Sequence, residues 1–472
     1  MNNKNYITTI GIFIISIVVQ FITFPGMSEY PAHVDEPSVV DTAFRIYKGE
    51  FNPGFFRYPA GHMNILALVY KVCSIFTKQI TIDDAYKISW FVSNVFVACM
   101  PMMVFIICTL FGTYVLGLIG SCFAILSSIL LQHSQYAIVD VSLSFFCLLF
   151  FTISIFWIIK SNFSPNKIFF LSILIGISVS MKYTGALLIL SLFIMIYHFI
   201  ERNPNSQGEK HFQLAFTGIS GAGLLLITSV FIIYENYFIQ GLIGLTTDGI
   251  LEAEYYQLLK KLIILSLVVS TGLLVLAYFI KVEKIYGAGK FISPLYLKSS
   301  FIIIIGFFIF SPFTIFEIKK SFADFMYEYR HMQIGSAAQY HHLSDNYHSI
   351  IQNIDRMYAI KFYYRLMISN FGIAGIAMAI LGIIEVLSQK KIIGITLLSF
   401  SFLMILTISS WQNVAIRYTL SFLPIFYVFI PFGMHRLSTL LEKRYLQYNY
   451  SLAILVFVTS IAPIMKWINL FG

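Results

Sequence analysis

Residues 140–160 read DVSLSFFCLLFFTISIFWIIK: one acid and one lysine bracketing an uncharged, mostly apolar run from Val141 to Ile159. At ~1.5 Å of helix rise per residue such a run reaches across the ~30 Å hydrocarbon core of a bilayer. The pattern recurs along the whole 472-residue chain, which is 58% hydrophobic and only 11% charged. A soluble chain carries about 25% charged residues, and with 47 Phe and 29 Tyr this one lacks the polar side chains to cover a globular surface. The composition therefore specifies an all-α polytopic membrane protein and excludes a cytosolic enzyme, a secreted disulfide scaffold and a disordered chain.

About thirteen runs are long and apolar enough to span: 6 to 24, 88 to 111, 113 to 131, 141 to 159, 168 to 181, 184 to 200, 214 to 234, 259 to 280, 299 to 316, 366 to 387, 392 to 409, 418 to 435 and 450 to 469. The first lacks a small-residue cleavage site and reads as a signal anchor and first span. No repeat period of a solenoid is present. Of the five cysteines, Cys99, Cys108, Cys122 and Cys147 lie inside apolar runs as small hydrophobes, and with Cys73 they form no disulfide or zinc framework. Residues 1–472 read as one integral-membrane domain. The chain ends at Gly472 directly after an apolar run, so no soluble C-terminal domain is expected.

Lys and Arg concentrate on the cytoplasmic side of membrane proteins. With the N-terminus inside, the loops at 160 to 167, 201 to 213, 281 to 298, 388 to 391 and 436 to 449 are also inside. They carry the whole excess behind the net charge of +9, while the other side balances. That makes the charge an orientation signal rather than a sign of a nucleic-acid partner. Three loops facing away from the cytoplasm are long enough for binding or chemistry: Pro25 to Lys87, Glu235 to Gln257, and Glu317 to Arg365, the last capping an outer cavity.

The first of these reads HVDEPSVVDTAFRIYKGEFNPGFFRYPAGHMNILALVY from His33 to Tyr70. Pro37 suits the start of a helix and Gly49 its left-handed end. Val40, Phe44 and Tyr47 share a face, which suggests an interfacial helix at the membrane surface. Asp35 and Glu36 then stand at the positive end of its dipole, either as plain capping acids or as a carboxylate kept ionised to accept a proton. Asp140, at the outer start of the fourth span, is either the cap of that helix or a second carboxylate of the same site. Lys182, in GISVSMKYTG, has no acid beside it in sequence, and Arg417, in IRYTLSFLP, has the same character. Each either snorkels to water or is held for an anionic headgroup such as a lipid phosphate. His331, His341, His342 and His348 with Glu328 raise the question of a metal, but their spacings match no zinc motif.

These segments, in this order, resemble the GT-C superfamily of integral-membrane glycosyltransferases, in the branch of the protein mannosyltransferases and the lipid-A aminoarabinose transferases. The resemblance rests on HVDE and FNPGFFRYP in the first loop, Ala137-Ile138-Val139-Asp140, GISVSMKYTG, SPF with DFMYEYRHMQIG, and IRYTLSFLP. It implies transfer of one sugar, with inversion, from a polyprenyl-phosphate carrier to an acceptor hydroxyl on the non-cytoplasmic side of the plasma membrane. It implies Asp35 as the base, Glu36 and Asp140 as orienting acids, and Lys182 and Arg417 as phosphate ligands, with His33, Tyr58, Glu328 and His331 lining the site. Some relatives bind a divalent metal near the acids, and no metal or other cofactor is established by these residues. The chain departs from the resemblance in its late outer loop, too short for the β-trefoil insert of eukaryotic protein mannosyltransferases. The acceptor is therefore open among lipid, glycan and protein. The competing class is a multi-pass transporter or lipid flippase of envelope precursors. Such proteins place ionisable groups near the bilayer midplane, whereas the candidate charges here stand at the outer ends of spans.

Overall fold

The computed structural model describes residues 3–23, 32–77, 79–202, 294–334, 357–411, 413–442 and short pieces between 451 and 459. The expected spans at 214 to 234 and 259 to 280, most of that at 450 to 469, the loop Glu235 to Gln257 and the histidines 341, 342 and 348 lie outside the described residues. Within them the helices are α1 Asn3–Thr23, α2 Glu36–Tyr47, α3 Gly61–Thr77, α4 Ile82–Phe111, α5 Tyr114–Ile125, α6 Ser128–Ser134, α7 Val139–Ile159, α8 Pro165–Met181 and α9 Leu188–Arg202. After residue 293 follow α10 Pro294–Phe310, α11 Phe313–Phe316, α12 Ile318–Ile334, α13 Tyr358–Gln389, α14 Lys391–Ser409 and α15 Leu423–Glu442. No strand occurs among the described residues. Six helices there are long and apolar enough to cross a membrane, or seven if the bent pair α5 and α6 is counted as one.

The chain is an all-α polytopic bundle, as its composition requires, but several expected spans are broken. The run 113 to 131 is α5 and α6, bent by 55°. Ser127 makes the corner by accepting from Leu130 N through its side chain, so the amide is satisfied where the ladder stops. The run 299 to 316 breaks at Ser311-Pro312, between α10 and α11. The run 366 to 387 belongs to the longer α13, interrupted at Gly372 with φ 65°. The run 418 to 435 opens with a 3₁₀ turn, Ile416–Thr419, before α15 begins. Hydropathy does not register these breaks, because Ser, Gly and Pro change the backbone without changing the apolar count.

Two cores organise the bundle. The larger gathers α4, α7, α8, α9, α13, α14 and α15. Within it α13 and α15 approach so closely that a Cβ on Gly433 would meet the carbonyl oxygen of Met378, and one on Gly382 that of Phe429. Small residues permit this backbone contact, which drives helix association where lipid already solvates apolar side chains. The smaller core joins α2, α3 and the start of α4 through Val39, Val40, Ala43, Leu66, Tyr70 and Ala85. The buried face of α2 is thus Val39, Val40, Ala43 and Ile46, with Phe44 and Tyr47 half-buried at its margin. Gly49 follows with φ 104°, the left-handed position expected of it.

Candidate active site

Asp35, Asp140, Lys182 and Arg417 all stand where helices start or break. Asp35 is the N-cap of α2, but its side chain makes no capping bond. Asp140 lies in the first turn of α7, whose N-cap is Ile138, so the capping alternative for Asp140 does not hold. Lys182 is an extended residue, φ −155° and ψ 140°, between α8 and a 3₁₀ turn over Tyr183–Leu187. Arg417 lies in the 3₁₀ turn before α15. These helix starts and breaks aim side chains from four distant segments at one point.

At that point Arg417 is the hub. Its Nη2 lies 3.0 Å from Asp35 Oδ2 and its Nε 3.9 Å from Asp140 Oδ2. Its Nη1 donates to His33 Nε2 at 2.8 Å. The other ring nitrogen, Nδ1, accepts from Asp35 N–H at 3.1 Å and lies 4.0 Å from Asp35 Oδ2. Burial, then the charge of Arg417, lowers the pKa of His33, which keeps the ring neutral. Burial acts to lower the pKa of Arg417 as well, but Asp140, Tyr418 and Asp35 together raise it, so the cation is firmly held. Behind Arg417, Lys182 Nζ donates to Asp140 Oδ1 at 2.7 Å and sits 4.8 Å from the Tyr418 ring.

Glu36 does something different. It is 2% exposed and accepts from Ala32 N at 2.7 Å, His33 N at 3.1 Å and Ala137 N at 2.8 Å. Its carboxylate therefore ties the first loop to the segment entering α7, which fixes Asp35 relative to Asp140.

A cavity of about 120 Å³ opens in front of Asp35 and Arg417. Its other walls come from the FFRYP segment, through Phe55, Arg57 and Tyr58, and from α12, through Tyr327, Glu328 and His331. The backbone of Phe56 is clamped on both sides: its N–H donates to Asp324 Oδ2 at 2.8 Å and its carbonyl accepts from Tyr183 OH at 3.0 Å. Ala60 N donates to Ser311 Oγ at 3.0 Å, which adds the break between α10 and α11 to the frame. Tyr58 donates to Asp35 Oδ2 at 3.5 Å, and burial, then Asp35, pushes its pKa well above the usual value. Burial raises the pKa of Glu328, and burial, then Arg57, lowers that of His331. His331 Nε2 meets Asn413 Nδ2 at 2.7 Å.

The structure thus brings together every sequence-derived candidate: Asp35, Asp140, Lys182, Arg417, His33, Tyr58, Glu328 and His331 directly, Glu36 as the strut. Only Asp35, Tyr58, Glu328, His331 and Arg417 of these line the cavity. Sequence reasoning passed over Arg57. It is exposed, lies 4.0 Å over the Tyr327 ring and has no acid within ion-pair distance among the described residues. Its signal is the arginine of FNPGFFRYP, a loop cation that in sequence reads as solvated. The acids do not fit a divalent metal. Asp35 and Asp140 already face cations, Glu36 is filled with amides, and no group of three or more His, Cys, Asp or Glu arranged for an ion occurs among the described residues.

Broken helices thus gather a charged site beneath a packed first loop. The chain is similar in structure to the archaeal oligosaccharyltransferase AglB from Archaeoglobus fulgidus, solved with an inhibitory peptide and a dolichol-phosphate, with a TM-score of 0.52 and 13% identity over 99% of this chain and 56% of that one. The apo form of the oligosaccharyltransferase from the same organism gives a TM-score of 0.50 and 11% identity over 98% of this chain and 55% of that one. The chain spans about half the length of these proteins, and at such identity what is shared is the fold. No protein-family model and no curated protein sequence matches the chain.

Proposed function

We propose that the chain is a glycosyltransferase that moves one sugar, with inversion, from a polyprenyl-phosphate carrier to an acceptor hydroxyl at the non-cytoplasmic face of the plasma membrane, its N-terminus being cytoplasmic. The observation that carries this reading is a single cavity holding the Asp35 carboxylate beside two guanidinium groups, Arg417 and Arg57. A carboxylate serves as base for a hydroxyl, and fixed cations stabilise the charge of a departing phosphate. In the reaction Asp35 takes the proton of the acceptor hydroxyl as its oxygen bonds to the anomeric carbon. The bond from that carbon to the phosphate oxygen breaks, and its electron pair leaves with the polyprenyl phosphate. Arg417 and Arg57 receive the growing negative charge.

Asp140 and Lys182 stand behind Arg417 rather than in the cavity, which supports a positioning role for both in place of the phosphate contact expected of Lys182. Glu36 supports the base through backbone bonds. A donor carried by lipid is also the one physically available on a face without nucleotide sugars. The solved relative bound to dolichol-phosphate and a peptide supports a lipid-phosphate carrier and keeps a peptide among the acceptors, beside lipid and glycan.

Purified protein in detergent, given polyprenyl-phosphate sugars with radiolabel in the sugar, tests this directly. Label should move to an acceptor in the wild type and not in Asp35→Asn. Full turnover by Asp35→Asn removes the assigned base. Absence of transfer with any donor, together with lipid movement in proteoliposomes, favours a flippase.

A further inference from the structure

Arg417 has a partner beside each of its three nitrogens before any ligand arrives. One guanidinium reaches Asp35 at 3.0 Å, His33 at 2.8 Å and Asp140 at 3.9 Å. Arginine has five N–H groups in a fixed plane; His33 and Asp35 each take one on the Nη1–Nη2 edge, and Asp140 stands in ion-pair range of Nε. Asp35 Oδ2 is already taken by the Arg417 guanidinium at 3.0 Å and the Tyr58 hydroxyl at 3.5 Å, which leaves an acceptor hydroxyl no place on that oxygen. A phosphate cannot be gripped bidentately either while Asp35 holds the same edge. Arg57, on another wall of the cavity, has no such engagement among the described residues.

We infer that Arg417 masks Asp35 in the ligand-free chain, and that an anionic lipid headgroup, first met by Arg57, draws the guanidinium off Asp35 and so frees the base only when a donor is in place. This rests on the transferase reading and adds a binding order to it, lipid phosphate before acceptor. The groups around the switch are suited to it. Asp140 with Lys182 and the neutral His33 keep Arg417 anchored by its other nitrogens while one edge changes partner. Arg417 and Asp35 both line the cavity, so the exchange needs a side-chain rotation and no helix movement.

The masking has a counterintuitive consequence for affinity. Asp35 competes with the phosphate for Arg417, so Asp35→Asn should bind undecaprenyl phosphate in detergent micelles more tightly than wild type, by roughly tenfold or more, since charge-assisted bidentate pairs are worth that much. Binding is read by the shift of the thermal unfolding midpoint with lipid concentration, and the unliganded midpoints of Asp35→Asn and Asp35→Ser verify folding. Undecaprenol, which lacks phosphate, should gain nothing from either substitution. Inorganic phosphate should gain only if the headgroup suffices without the chain. In an Arg417→Gln background the gain should vanish. Weaker or unchanged lipid-phosphate binding in both Asp35 variants overturns the masking. A gain that persists without Arg417 also overturns it, because it would then reflect loss of ordinary repulsion. Binding by no form of the protein defeats the lipid-phosphate reading itself, whereas tight wild-type binding without a gain defeats the masking alone.

Discussion

Lys182 Nζ lies 2.7 Å from Asp140 Oδ1, across 42 residues of sequence, and the two side chains are 8% and 7% exposed. A buried pair adds little net stability, but breaking it leaves Asp140 buried with only the more distant Arg417, at 3.9 Å, to face it. Lys182→Met should therefore lower stability by about 3–5 kcal/mol. Lys182→Met with Asp140→Asn should recover most of it. Turnover should stay low in the double variant, because Arg417 then loses the carboxylate at its Nε. Thermal unfolding in detergent and sugar transfer, measured side by side, check both halves.

The neighbouring acids Asp35 and Glu36 should separate by readout. Glu36→Gln weakens three amide bonds to a buried carboxylate, a loss of about 1.5–3 kcal/mol, visible as a lower unfolding midpoint. Asp35→Asn should change the midpoint little and abolish transfer. Equal effects of the two on stability would contradict the strut role of Glu36.

Arg57 should act on the donor and not on the fold, being exposed. Arg57→Ala should raise the donor KM about tenfold or more, the size of a charge-assisted phosphate contact. The acceptor KM should stay near its wild-type value. Arg57→Lys should restore part of the donor affinity, as a point charge without the planar fork. Steady-state kinetics with each substrate varied in turn decide this.

His62, at the start of α3, is completely buried, and neither ring nitrogen has a hydrogen-bond partner among the described residues. Burial pulls its pKa from 6.5 to about 4, with Asp140 opposing the change. Its ring is therefore neutral in the fold at a pH where the unfolded chain already protonates it. The contribution is intact above pH 6.5 and is lost as pH falls toward 4, at about 1.4 kcal/mol for each pH unit inside that window. The wild-type unfolding midpoint should fall over this range, and His62→Leu should flatten that fall. An unchanged slope in the variant would exclude His62 as its source.

Gly433 should tolerate no side chain. A Cβ there meets the Met378 carbonyl, so Gly433→Ala should push α13 and α15 apart and cost about 1–3 kcal/mol or more. Detergent-solubilised variant should unfold at a lower temperature, and a midpoint equal to wild type would refute the close backbone contact.

The sequence by itself determined the class of protein, because an apolar excess such as 58% hydrophobic residues has a single physical outlet, burial in lipid. It also determined which charges were worth watching. Asp35, Asp140, Lys182 and Arg417 stand out because an ionisable group beside an apolar run is costly to keep there. What it left open was whom each charge faces. Lys182 has no acid near it in the chain, and its partner Asp140 becomes visible only when α7 and α8 pack together. Glu36 reads like Asp35 in sequence, since both open the same helix, yet one turns to backbone amides and the other to the cavity. Arg57 reads as an ordinary loop cation and emerges on a cavity wall. The broken spans at Ser127, Ser311 and Gly372 were hidden for a related reason: hydropathy sums side chains, while a break is a property of the backbone and of what packs around it. Periodicity and composition are local, so they report burial. Charge pairing joins segments far apart in the chain, and only the tertiary structure decides it.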